Sequence, residues 1–175
     1  PGKLKTLYQG NPFQSLYLPY WTFDADADAD YTAMGGRTRT EQYKDKEGNV
    51  QTRTHTDWYH THGHVQEHFD DILEKAVNTE NAAFLSQIEP YDMGRLVSYA
   101  PEYLSGCMSQ CYNVDLEKAS NSARDDMEQR LRSLASDDVL SRYDSVKDVR
   151  LHSRYRNESY KHILVPVYLS LIHIS

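Results

Sequence analysis

Five histidines between positions 55 and 68 are the residues of this sequence best suited to metal chemistry. His60, His62 and His64 alternate, so a strand would place their imidazoles on one face, with the outer two about 13 Å apart at ~3.3 Å per residue. One ion therefore cannot bind all three. His60 and His62 with a carboxylate such as Asp57 or Glu67 could hold zinc in a metal-dependent enzyme. We favour the alternative, a solvated strand face without a physiological metal.

Four aspartates alternate with three alanines over positions 24–30. The spacing resembles the start of a calcium-binding loop, but Ala29 stands where that loop needs glycine and Gly35 where it needs a bidentate glutamate. An extended backbone would place the carboxylates on one face and the alanines on the other. We interpret the segment as a solvated, mutually repelling sheet edge, and the alternative is a loose divalent-cation site.

Cys107 and Cys111 are the only cysteines, too few for a disulfide framework or for a closed zinc site built from thiolates. Their spacing, together with Leu104 and Met108, predicts a helical stripe with buried, unreactive thiols. The sequence contains no recognisable nucleophile motif and no complete phosphate-binding loop. We therefore assign no catalytic, cofactor-binding or metal-ligating residues and expect no cofactor here.

The composition is that of a folded protein with an acidic surface. The 175 residues include 14 tyrosines and carry a net charge of -7, which opposes direct binding to nucleic acid. There is no secretory signal peptide and no long apolar run, and the two cysteines favour a reducing cytoplasm. The length suits one domain.

Hydrophobic periodicity and turn residues predict an α+β fold with a mainly antiparallel sheet and helices segregated to one side. Gly48 and Asn49 favour a β-hairpin near 37–60. We leave the type of segment 65–76 open. The predicted helices cover about 80–88, 101–112 and 115–136, and a return strand is predicted near 160–168.

Both ends of the chain look unlike natural termini. Residues 169–175 resemble the translation of a transposase end used in sequencing libraries, and we interpret them as an artefact. The sequence also begins at Pro1 without an initiator methionine. We therefore expect a single α+β domain over 1–168, cut at each end.

Five segments of the chain occur in an order that is similar to that of a known family. They are 18–25, which contains Leu18-Pro19-Tyr20-Trp21, 56–58 with Gly63 and 69–73, 88–92, 103–106, and 161–168. Together they resemble the region after the zinc ribbon in bacterial zinc-ribbon proteins of unknown function. Members are commonly labelled TFIIB-type zinc-ribbon-containing or primosomal protein N-prime (replication factor Y) helicase-like, and the resemblance implies a bacterial cytoplasmic location.

The resemblance implies a module that follows a zinc ribbon and sometimes precedes a membrane anchor. Zinc would be bound only by the ribbon, which this chain lacks. The leading functional hypothesis is a non-catalytic scaffold or interaction module that binds an unknown protein partner. The alternatives are the metal-dependent enzyme built on His60 and His62, and a replication-related protein that contacts nucleic acid through the missing ribbon.

Overall fold

A computed structural model describes residues 13–78 and 91–170, with side chains over 16–78 and 91–167. It contains a four-stranded mixed sheet and an α-helix, so the predicted α+β class is confirmed. The sheet is not purely antiparallel, because β3 runs parallel to β1. In chain order the elements are β1 (Phe13–Lys44), β2 (Val50–Lys75), 3-10 helices Met93–Arg95 and Pro101–Leu104, β3 (Met108–Ser109), α1 (Leu116–Leu140) and β4 (Ser145–Ser170).

The predicted hairpin is confirmed as the turn between β1 and β2. The Asp45 carboxylate accepts hydrogen bonds from the backbone amides of Glu47 and Asn49, each at 2.9 Å. Gly48 has a φ of 86°, a conformation that glycine adopts without steric cost. The strands extend well beyond the predicted bounds, and the undecided segment 65–76 belongs almost entirely to β2.

β1 is the strand with which all the others pair. The Asp26 side chain bonds to His68 and that of Asp30 bonds to His64. Later residues of β1 therefore lie beside earlier residues of β2, so the two strands are antiparallel. The bonds from β4 to β1 follow the same antiparallel order. The predicted return strand is confirmed as the end of β4, although β4 begins earlier, at Ser145.

The long predicted helix is confirmed as α1. Asp115 caps it by accepting a hydrogen bond from the Lys118 amide at 2.8 Å. The helix continues past the predicted end at 136, because Ala135 and Val139 extend its buried face by one more turn. Within the described residues, no helix combines the length and the apolar character that a bilayer span requires.

The helix predicted over 101–112 is wrong. Pro101 opens only a 3-10 helix that ends at Leu104, and β3 follows at Met108. Ser105 is extended, and Gly106 has a φ of 77°, so the backbone leaves the helical conformation before the predicted stripe is complete. The helix predicted over 80–88 lies outside the described residues.

The chain divides into two compact units. Unit 1 comprises Pro1–Phe23, Asp71–Ala123 and Tyr160–Ser175, and unit 2 comprises Asp24–Asp70 and Arg124–Ser159. The core of unit 1 joins residues of β1 and β4 with Val77, and its buried members are Leu18, Tyr20, Val77, Ile163, Val165 and Val167. The core of unit 2 places Tyr31 and Ala33 of β1 against Ala135 and Val139 of α1.

Three non-glycine residues within the long strands have left-handed backbone conformations, the geometry that a β-bulge can use. Among them, Asp148 in β4 has a φ of 55°. We expect Asp148→Val to lower the free energy of unfolding by about 1–2 kcal/mol, because a β-branched side chain disfavours this conformation. Asp148→Gly should change it by less than about 0.5 kcal/mol.

Urea unfolding of both variants measures the difference. Arg150→Val, at another exposed position of β4, is the control and should be close to neutral. Equal losses for Asp148→Val and Asp148→Gly would show that the carboxylate, rather than the backbone conformation, determines the effect.

Candidate functional site

Unit 1 contains a groove of about 1040 Å³ between the segment around residues 91–104 and the 161–166 part of β4. Local sequence determines the shape of the first wall. Asp92 caps the 3-10 helix by accepting a hydrogen bond from the Gly94 amide at 3.2 Å. Pro101 restricts the residue before it, and Ala100 is extended, with φ of -137° and ψ of 135°. The chain between the two 3-10 helices therefore lies open along the groove.

The groove exposes apolar side chains on both of its walls. Val97 is 68% exposed, Tyr99 66% and Tyr103 52%, and all three line the groove. On the opposite wall, Leu164 is half-buried and Pro166 is exposed, while their neighbours Ile163 and Val165 are in the core. A cluster of exposed apolar side chains of this kind is typical of a protein-binding surface.

The rim of the groove carries cationic side chains on an otherwise acidic chain. Arg95 is exposed and pairs with no carboxylate among the described residues. Lys161 lies 3.3 Å from the Asp71 carboxylate. Desolvation by burial lowers the pKa of His162, which also lines the groove. Arg95 is therefore the cation of this rim that an acidic partner would meet, since Lys161 already pairs with Asp71 and the lowered pKa keeps His162 uncharged at neutral pH.

An aromatic cluster supports the β4 wall of the groove. The Trp21 indole donates a hydrogen bond to the Val114 carbonyl at 3.1 Å, and its ring centroid lies 4.6 Å from that of His162. Tyr112 and Tyr160 contact Trp21 edge-on, and their ring centroids lie 5.9 and 6.2 Å from that of Trp21. These contacts pack the His162 ring against Trp21 and Tyr112.

In unit 2, the aspartates of the repeat form a network that we call the acid–base stripe. Arg154 donates to the Asp28 carboxylate from Nε at 2.9 Å and to that of Asp30 from Nη1 at 2.8 Å, and Arg156 donates to Asp28 at 2.9 Å. The interpretation of this segment as a repelling sheet edge is wrong, because β1 has neighbours on both sides and its carboxylates meet cationic partners. The stripe comprises Asp24, Asp26, Asp28, Asp30, His64, His68, Arg154, Arg156, Asn157 and Ser159.

The predicted alternation of the repeat is confirmed. Ala25, Ala27 and Ala29 are buried, at 2%, 3% and 0% exposure, on the face that Tyr31 and Ala33 present to α1. The aspartates point to the other face, and of the four only Asp28 is buried. The acid–base stripe thus connects β1 to β2 and β4, and its geometry indicates a structural role.

The structure places His60, His62 and His64 on the exposed face of β2, as the strand interpretation predicts. His64 bonds to the Asp30 carboxylate at 2.8 Å. Among residues 13–78 and 91–167, no group of three possible ligand atoms within 4.8 Å of one another includes a histidine. The pair His60 and His62 is therefore not brought together with a third ligand there.

The thiols do not occupy a buried helical stripe. Cys107 is half-buried and Cys111 is exposed, because the predicted helix is replaced by a turn and the short strand β3. Sequence reasoning also missed the groove. Two prolines, Pro90 and Pro101, bracket an apolar stretch over 96–100, and that pattern is the signal from which an extended, exposed segment could have been inferred.

Unit 2 also contains a partly buried hydrogen-bond network around Tyr31. Tyr31 donates a hydrogen bond to the Asp138 carboxylate, and the Arg142 Nη2 donates to the Tyr31 hydroxyl at 2.7 Å. Arg142 also donates to Thr61 at 3.2 Å. Desolvation and the Asp138 carboxylate raise the pKa of Tyr31 to about 12, so the phenol remains protonated at neutral pH. This network joins β1 and β2 to α1.

The acid–base stripe makes stability depend on pH through His68. The hydrogen bond with Asp26 raises the pKa of His68 above its ordinary value of 6.5. The protonated form is therefore favoured in the folded state, and its stabilisation is complete below about pH 6.5 and lost as the pH rises through the raised value. We expect the free energy of unfolding to decrease between about pH 6 and 8 more steeply in the wild type than in His68→Gln.

Urea unfolding at several pH values measures this slope. His60→Gln, at another exposed position of β2, is the control and should keep the wild-type slope. Identical slopes for the wild type and His68→Gln would show that the Asp26 contact does not stabilise protonated His68 in solution.

Comparison with known proteins adds no relative to this description. No family model, no curated protein and no solved structure matches this chain.

Proposed function

We propose that this chain is a non-catalytic protein-interaction module that binds a partner protein through the groove of unit 1. The exposed apolar side chains carry the proposal, above all Val97 and Tyr99, which are two-thirds exposed. In the isolated chain these side chains remain in contact with water. A partner that covers them makes the free energy of association more favourable by about 25 cal/mol per Å² of apolar surface buried.

The contacts of unit 2 support the same proposal. The described carboxylates of the acid–base stripe bond to arginine, histidine, asparagine or serine side chains, which is the arrangement of a scaffold. In the intact protein, the resemblance to zinc-ribbon proteins would place this module after a ribbon and inside a bacterial cell. The module would then connect the ribbon to a partner.

The experiment is a selection of random 12-residue peptides displayed against the whole chain, followed by affinity measurements on two variants. Val97→Asp changes the groove. Val50→Asp changes a similarly exposed valine of β2 in unit 2, which is 61% exposed, compared with 68% for Val97. We expect Val97→Asp to weaken selected peptides at least about 30-fold, because a central apolar contact is typically worth about 2 kcal/mol.

Val50→Asp should leave the affinity unchanged within about twofold, since it lies outside the groove. Both variants should unfold at the wild-type urea concentration, because each position is exposed. The proposal fails if no peptide is selected, or if the two variants weaken binding equally.

A further inference from the structure

We infer that the groove binds an extended, acidic and apolar peptide segment, which pairs as a β-strand with the backbone of residues 97–99. This inference rests on the proposed function and names the class of its partner. It is carried by the backbone of the open wall and by the charge of the rim.

Part of the backbone of the open wall forms no backbone hydrogen bond with the described residues. Leu96 has φ of -60° and ψ of 136°, and Ala100 is extended as well, so the segment begins and ends in strand-like conformations. The Leu96 amide bonds back to Met93, and the Ala100 carbonyl accepts from Tyr103. Between them, the amides and carbonyls of Val97, Ser98 and Tyr99 form no backbone hydrogen bond with any described residue.

An extended peptide satisfies these groups, and a helical one does not. A strand offers a donor and an acceptor at every second residue, and main-chain pairing of this kind is a common mode of peptide recognition. A helix uses its own amides and carbonyls internally and would leave those of 97–99 unpaired. The alternation of a strand would also direct every second side chain toward the apolar surface of the groove.

Arg95 favours acidic residues in the partner. It is a lining cation that pairs with no described carboxylate, whereas Lys161 already pairs with Asp71, and the Asp92 carboxylate caps Gly94. An acidic side chain on the solvent face of the bound strand would lie near Arg95. A nucleic acid would also meet Arg95, but the net charge of -7 of the chain opposes a polyanion.

The experiment uses peptides selected on the whole chain and requiring Val97, and replaces their backbone amides one at a time with N-methyl amides. N-methylation removes a donor without changing the side chain. We expect losses of at least about tenfold at alternate positions and less than about twofold at the positions between them, since only one edge of the strand pairs.

The charge is tested by reversal at Arg95. Arg95→Glu should weaken the selected peptides about tenfold, and Arg53→Glu, at an exposed position of β2, should leave the affinity unchanged. Peptides that require Val97 but tolerate N-methylation throughout, or that carry no excess of acidic residues, would overturn this inference and leave the proposed function standing. If no peptide requires Val97, both fail.

Discussion

Replacing Asp28 with asparagine is expected to lower the free energy of unfolding by about 2–3 kcal/mol. The Asp28 side chain is 8% exposed and accepts hydrogen bonds from Arg154 and Arg156. The substituted side chain would have nearly the same shape but no charge, so two guanidinium groups would lose their buried counter-charge. Removing one member of a buried pair typically costs about 3–5 kcal/mol, and we expect less here because both arginines are about half or more exposed.

Asp30→Asn is the matched control. Asp30 pairs with Arg154 and His64, but its side chain is 56% exposed, and exposed pairs contribute about 0–1 kcal/mol. Urea unfolding at low and high salt measures both variants. The loss from Asp28→Asn should persist at high salt, because a buried pair is poorly screened. Similar losses for the two variants would mean that burial of Asp28 does not govern the strength of the stripe.

Replacing Gly63 with alanine is expected to cost about 3 kcal/mol. A Cβ at Gly63 would lie 2.5 Å from the Tyr31 hydroxyl and 2.6 Å from its ring. Tyr31 is 2% exposed and cannot move outward without breaking its bonds to Asp138 and Arg142. Overpacking alone costs about 1–3 kcal/mol, and the lost hydrogen bonds add about 1 kcal/mol or more.

A double-mutant cycle separates this clash from other effects. In a Tyr31→Ala background the space is empty, so Gly63→Ala should cost less than about 1 kcal/mol. Gly94→Ala is a control with a milder contact, where the new Cβ would lie 3.3 Å from Asp92 Oδ1, which a side-chain shift of a few tenths of an ångström relieves. If Gly63→Ala is as costly without the Tyr31 ring as with it, the close approach of β2 to Tyr31 is not the cause.

The sequence was sufficient to predict those elements whose structure a local pattern determines. Turn residues such as Gly48 place the hairpin, and Asp115 followed by an apolar stripe places α1, because caps and periodicity act within a few residues. The strand character of 24–30 could also be predicted. Its partners could not, since Arg154 lies 126 residues from Asp28 in the chain. Without those partners, four carboxylates look like a repelling edge.

The errors have a common physical origin. Leu104, Cys107, Met108 and Cys111 have helical spacing, but Gly106 within the stretch adopts a left-handed conformation that ends the helix. Periodicity records which positions are apolar and says nothing about the backbone between them. The groove was missed for a similar reason. Its exposed residues Val97 and Tyr99 resemble core positions in composition, and only the three-dimensional structure shows that they face solvent.

The Asp-Ala repeat has a consequence for how this chain folds. A shift of β1 by two residues would again bury alanines and again present aspartates to Arg154 and Arg156, so the repeat alone defines several nearly equivalent pairings. Unique side chains must reject the shifted states, and in unit 2 Tyr31 does so, because a shift would separate it from Ala135, Val139 and the Asp138 carboxylate of α1. The register of β1 against β4 thus depends on the contacts of this one aromatic residue with α1 rather than on the number of ion pairs that the repeat can form.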